Sequence, residues 1–296
     1  MNAVVVAWNH FWFRPASPLG PIAVRILLSV QALWIVLSRP ELPNLVAWPD
    51  AFWTDIPTAL RFRFFVFARS STLEWILWAT LIILLLLLIV RGGRLAAFVA
   101  GILLYHFAPM ENILSGAALL GFRGLTQPVQ GLLILSFARQ PHLHDQPSPE
   151  YRWPVAAIQL LFSLTYFFAG LSKLFDAGWS WVSADNMQAT AMVFTTWPVS
   201  SPWAAWLIAH RGACWVIGVG TLALELLFPL VLFSPLAAKI LVPIAFIGHI
   251  GIAYTLGIYF LSSPLLLLFL NWDWVAEAVA RVSSTGRETS APSHLA

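Results

Sequence analysis

Apolar residues along this chain gather in long runs with few charges inside them, separated by short stretches rich in Arg, Pro, Trp and Ser. Taken in order, the runs predict spans at about 21–38, 73–91, 94–109, 112–138, 153–175, 204–233, 236–257 and 259–276. Most approach the ~20 residues that a helix needs to cross a hydrocarbon layer. The pattern therefore predicts an all-α polytopic transmembrane bundle of about eight spans. Gly121, Arg123, Gly124 and Pro128 interrupt the run 112–138 and predict a kink or a split there, while 204–233 is long enough to tilt. Residues 1–276 form one transmembrane domain on this pattern, and 277–296 a polar tail expected to be disordered.

Two segments break the rhythm. The stretch 39–72 mixes aromatic residues with Arg39, Arg61, Arg63 and Arg69, as an amphipathic helix lying in the membrane interface would. From Gly178 to Pro202, the polar residues Asp185, Asn186 and Gln188 alternate with Trp179, Trp181 and Trp197. A re-entrant loop or half-helix fits that stretch, and such backbone is tolerated at depth only where protein or a wet cavity covers it. It is therefore a candidate pocket wall.

Composition agrees with the pattern. Hydrophobic residues make up 59% of the 296 and charged residues 10%, against about 25% charged in soluble domains. Mean hydropathy is +0.80. The net charge of +3 is scattered rather than clustered, which argues against nucleic acid as a partner. The single cysteine, Cys214, excludes an intrachain disulfide and a Cys-based metal site. Arg14, Arg91, Arg94, Arg139, Arg152, Lys239, Arg281 and Arg287 fall on one side if both termini are cytoplasmic, the side that positive charge in short loops favours.

Against so apolar a background, each charge inside a run needs a reason. Only two lysines occur, and Lys173 closes the run 160–175. An ionisable group at the bilayer centre costs ~3 kcal/mol by insertion scales and marks a functional site by default. Tyr166, Gly170 and Lys173 follow a four-then-three spacing that places a phenol, a gap and an amine on one helical stripe. The gap at Gly170 would admit a neighbouring helix or a flat ligand ring. The plainer alternative has Lys173 snorkel to the headgroups and pair with Asp176. His249 lies mid-span between Gly248 and Gly251, where an imidazole can donate to a ligand or carry a proton. Glu225 is as unsupported by its neighbours as Lys173; Arg25, Arg211 and Lys173 are the available cations, and a structural Arg25–Glu225 pair is the expected arrangement. His106, Glu111 and His249 lack the tight spacing of a metal motif, so no metal is expected.

The stretch Tyr166-Phe167-Phe168-Ala169-Gly170-Leu171-Ser172-Lys173-Leu174, followed by Gly178-Trp179, resembles the horizontally transferred transmembrane domain family, relatives of the vitamin K-dependent gamma-carboxylase. The likeness extends over about residues 10 to 275, with a second match from His249 through Phe269. It implies that Lys173 is the amine that deprotonates a reduced quinol, a menaquinone or vitamin K-like cofactor, with His249 as a second catalytic group. It also implies that Tyr166, Gly170, Trp179, Glu111 and Asn112 line the substrate site, the last two standing where the carboxylase carries an orienting histidine. The carboxylase's extramembrane domain has no counterpart after Trp274 here, so protein carboxylation would need a separate partner protein to supply it. Two further classes stand beside a quinol- or lipid-handling enzyme: a non-catalytic membrane partner or maturation factor, and a transporter, which the lack of an internal repeat counts against.

Overall fold

The computed structural model describes residues 2–47, 70–114, 124–195, 201–256, 258, 260 and 262–288. Among these every element is helical, and the one β-type contact is an isolated antiparallel bridge between Ala16 and Ser148. The α-helices are α1 (Ala3–Phe13), α2 (Leu19–Leu37), α3 (Ser71–Val90), α4 (Arg94–Leu114), α5 (Thr126–Phe137), α6 (Pro149–Ala177), α7 (Ala184–Thr195), α8 (Pro202–Ala209), α9 (Arg211–Leu227), α10 (Pro235–Leu256) and α11 (Trp272–Glu288). Tight 3-10 turns at Leu42–Ala47, Gly178–Val182, Phe228–Leu232 and Ser263–Phe269 join them.

Five helical stretches are long and apolar enough to cross a membrane: Leu19–Leu37, Ser71–Val90, Pro149–Val182, Arg211–Leu232 and Pro235–Leu256. Arg94–Ala108 is a shorter apolar helix. The remaining expected spans change form. The run 204–233 divides at His210, which leaves helical geometry (φ −118°, ψ 78°) between α8 and α9. In place of a span over 259–276 stand the 3-10 segment Ser263–Phe269 and then α11. That helix continues through Glu288, so the polar tail expected from 277 begins as helix. The interfacial helix expected over 39–72 is seen only as the Leu42–Ala47 turn, because 48–69 lie outside the described residues, as do Gly121 and Arg123.

Helix α6 organises the rest. Ser148 caps it by accepting from the Glu150 amide, and Pro149 opens the first turn, where its missing N–H costs nothing. Gly178 ends it with φ +58°, a conformation that L side chains rarely adopt. Along its 29 residues α6 touches α1, α2, α5 and α9 and three of the 3-10 turns. Gln159, buried on α6, donates to the Leu268 carbonyl at 2.7 Å and so fastens the Ser263–Phe269 segment to it.

One large apolar core runs through α2, α3, α4 and α5 and reaches α6, Phe228 and Leu265–Leu268. A smaller cluster of Ala184, Ala191, Leu207 and Cys214 joins α7, α8 and α9. Outside these, the surface is itself apolar: only 6% of the hydrophobic window of α10 and 22% of that of α9 is buried. Large side chains such as Ile83, Val90, Val216 and Ile247 point outward. Apolar exposure on that scale suits helices that face hydrocarbon.

Without water to drive helices together inside a bilayer, close packing carries much of their association. At the α4–α5 seam a Cβ on Gly101 would lie 2.8 Å from Leu133 Cδ2 and 2.9 Å from its Cγ, whereas one on Gly220 meets nothing within 4 Å. Gly101→Leu is therefore expected to cost about 1–3 kcal/mol, read as a lowered thermal midpoint in detergent, while Gly220→Leu leaves the midpoint near that of the parent.

Candidate intramembrane polar site

The four-then-three stripe of α6 meets α9 and its 3-10 extension. Tyr166 stacks on Phe228, ring centroids 4.1 Å apart and planes 14° from parallel. Gly170 is buried, and a Cβ there would lie 3.0 Å from Glu225 Cβ and 3.1 Å from Leu226 Cδ2. The gap is occupied by α9, so Gly170 serves close helix packing. One turn further, Lys173 Nζ donates to Glu225 Oε1 at 2.7 Å and more weakly to the Ala169 carbonyl at 3.4 Å. The side chains are 23% and 14% exposed, so the pair is largely withdrawn from the surroundings. Trp181, from the turn after α6, lays its ring 5.2 Å from the same nitrogen, a cation–π contact worth ~1 kcal/mol.

This corrects the expected Arg25–Glu225 pair. Glu225 is held by Lys173, while Arg25 sits at the opposite end of the bundle beside Gly92 and Gln140. Nor does Lys173 pair with Asp176, which is exposed. The reason is geometric: the glycine at 170 lets α9 approach until the Glu225 carboxylate packed on it reaches the amine three residues further along α6.

His249 enters from α10 and links to the same stripe. The Ser263 hydroxyl donates to the Phe260 carbonyl at 2.7 Å, so its oxygen is left to accept from His249 Nδ1 at 2.8 Å. That fixes Nε2 as the acceptor for the Tyr166 hydroxyl at 3.1 Å. Phe260 stacks on the imidazole at 4.4 Å. The result is a directed chain, Tyr166 to His249 to Ser263 to a backbone carbonyl, beside the Lys173–Glu225 pair. The glycines flanking His249 meet nothing within 4 Å and do not build the site.

Two expected lining residues, Trp179 and Glu111, are not brought together with this cluster. Trp179 is 78% exposed and borders a separate open groove of about 610 Å³ with Arg211, Gly212 and Trp215. At that groove Arg211 forks onto Asp185, with Nη2 to Oδ2 at 2.9 Å, and holds the Asp185 carboxyl below the usual carboxylate range. Glu111 is buried near Gly124, a different part of the bundle, and the Asn112 side chain lies outside the described residues. Glu74 escaped the sequence analysis altogether. It is fully buried at the start of α3 and binds His106 Nε2 at 2.8 Å. A carboxylate at a helix start reads as a solvated end until the fold covers it. Among the described residues no group of three metal-ligating side chains comes together.

Taken together, the described residues are all-helical, with five helical stretches long and apolar enough to cross a membrane and a polar cluster among them. No known family model matches it, and neither does any curated protein or solved structure.

The pairing of Lys173 has a chemical signature, because the only other lysine, Lys239, is exposed. An amine-reactive reagent is expected to modify Lys173 about tenfold more slowly than Lys239, equivalent to ~1.4 kcal/mol. Glu225→Gln should narrow that gap; peptide mapping of the labelled protein measures both.

Proposed function

We propose that this is a multi-pass integral membrane protein, both termini cytoplasmic, whose Lys173–Glu225 pair binds the polar head of an isoprenoid quinol or a comparable lipid. The resemblance carried by residues 166–174 supplies the ligand class, and one atom carries the chemistry. Glu225 Oε2 is buried and accepts no hydrogen bond from the described residues, although Oε1 is occupied by Lys173. A buried oxygen left so costs about 1–3 kcal/mol, more when charged, and a hydroxyl donor would remove that cost.

A reduced quinol, when bound, supplies an acidic hydroxyl and two electrons. Glu225 Oε2 receives that hydroxyl as a hydrogen-bond acceptor. Lys173 and Glu225 would serve such a ligand as one proton-exchanging unit, with the ammonium held beside the carboxylate. Tyr166 and His249, whose hydrogen bonds run away from the pair towards Ser263, orient the wall of the site. Catalysis thus rests on Lys173 and Glu225 together, rather than on a free lysine amine. Any carboxylation of a protein would require a separate protein to bring the substrate.

Lipids extracted from the purified protein and analysed by mass spectrometry are expected to contain a naphthoquinone in stoichiometric amount. Lys173→Met and Glu225→Gln should each lose it while the thermal unfolding stays cooperative. Recovery of bulk phospholipid alone would oppose the proposal, and a stoichiometric protein partner in its place would favour a maturation or scaffolding role.

A further inference from the structure

Arg25 has no use in the site above, and its surroundings are unusual. It lies within the first apolar helix, is 9% exposed, and forms no ion pair among the described residues; its Nε is buried without an acceptor. A guanidinium always carries its charge, so the burial must be offset by something. The nearest groups offer no negative charge. The guanidinium lies against Gly92, where a Cβ would overlap it and would come within 2.7 Å of the Gln140 amide nitrogen. Gly92 is therefore doubly constrained, by that contact and by its φ of +80°.

Arg25 lines a small depression of about 20 Å³ together with Gly93, Arg94, Arg139 and Gln140, and no carboxylate is among the residues lining it. Arg94 spends its Nε on the Ser136 carbonyl at 3.0 Å and Arg139 one nitrogen on Glu150 at 3.2 Å, so both retain free donors. Helix α4 begins at this point, and the amides of its first turn have no acceptor within the helix. Three guanidiniums, of which Arg139 alone has a carboxylate partner among the described residues, a side-chain amide and a helix N-terminus thus border one depression that no carboxylate lines. The space is room for one or two oxygen-sized groups, enough for one edge of a tetrahedral anion whose remainder stays outside.

We propose that Arg25, Arg94 and Arg139 form a phosphoryl-binding site that takes one edge of a phosphate, from an anionic phospholipid headgroup or from free phosphate. Bidentate guanidinium contacts and a helix start are the donor set that phosphate oxygens favour. The site lies at the opposite end of α6 from Lys173. Glu150 and Lys173 are 23 residues apart on one helix, or roughly 35 Å at its rise. It shares that end with Arg14, Arg152 and the start of α11, where Asp273 accepts from the Ser17 amide at 2.7 Å. An anchored headgroup there would set the depth of the bundle in one leaflet.

The test is native mass spectrometry and calorimetry on the purified full chain in neutral detergent, with dioleoyl phosphatidylglycerol, dioleoyl phosphatidylcholine and inorganic phosphate as probes. The expected result is binding that Arg25→Gln weakens about tenfold, the loss of a charged hydrogen bond, and that Arg281→Gln leaves unchanged. Preference for phosphatidylglycerol that millimolar phosphate does not disturb identifies a headgroup as the source. Arg25-dependent binding of inorganic phosphate, with displacement of the lipid, identifies free phosphate. Should Arg25→Gln fail to fold, the exposed pair Arg94→Gln and Arg139→Gln carries the same prediction. Equal binding by parent and arginine variants, or no binding of any probe by the parent, overturns the proposal.

Discussion

Lys173 and Glu225 meet at 2.7 Å across the seam between α6 and α9, and neither charge could remain in that apolar wall alone. Removing one partner of a buried pair leaves the other uncompensated, at ~3–5 kcal/mol for a fully buried case and less at the partial exposure seen here. The pair in turn requires the close approach that Gly170 permits, since a side chain at that position would press on Glu225 and Leu226. Tyr166 stacks on Phe228 two turns away along the same seam, and through Tyr166 the histidine of α10 is joined to it. One helix contact therefore sets the positions of an ammonium, a carboxylate, a phenol and an imidazole.

The length of α6 separates two kinds of polar environment. Its start lies among arginines from α2, the first residue of α4 and the segment after α5, where charge is abundant and mostly exposed and Arg139 is met by Glu150. Its end holds the Lys173–Glu225 ion pair, set beside Trp181 and among helices whose outer faces are apolar. Such segregation suits a protein held across a boundary, with its basic end at one surface and its neutral, hydrogen-bonded cluster within reach of lipid-borne molecules. The orphaned oxygen of Glu225 and the unpaired guanidinium of Arg25 are complementary features of that plan, one offering an acceptor and the other offering donors.

Much of the helical layout was legible along the chain, because long apolar runs bounded by charge have few alternatives. What periodicity could not supply was the third dimension. Lys173 and Glu225 both stood out as charges without neighbours, but three cations were available to Glu225 and spacing within one helix does not rank partners on others. Gly170 was legible as a gap, whereas its occupant depended on where α9 falls. The break at His210 and the 3-10 turn at Ser263–Phe269 replace spans that hydropathy alone would draw, since an apolar run need not be one continuous helix. Glu74 was missed for the converse reason: a carboxylate in a first turn is ordinarily solvated, and only the packing of α3 against α4 buries it against His106.

A double-mutant cycle on the ion pair tests the central claim most directly. Thermal unfolding of Lys173→Glu, Glu225→Lys and the exchanged pair, each in the same detergent, separates a working interaction from mere adjacency. The account predicts that each single reversal lowers the midpoint and that the exchange restores most of the loss, with a coupling energy of about 1–3 kcal/mol. Additive losses, with the exchanged protein as unstable as the sum of the two reversals, would contradict it.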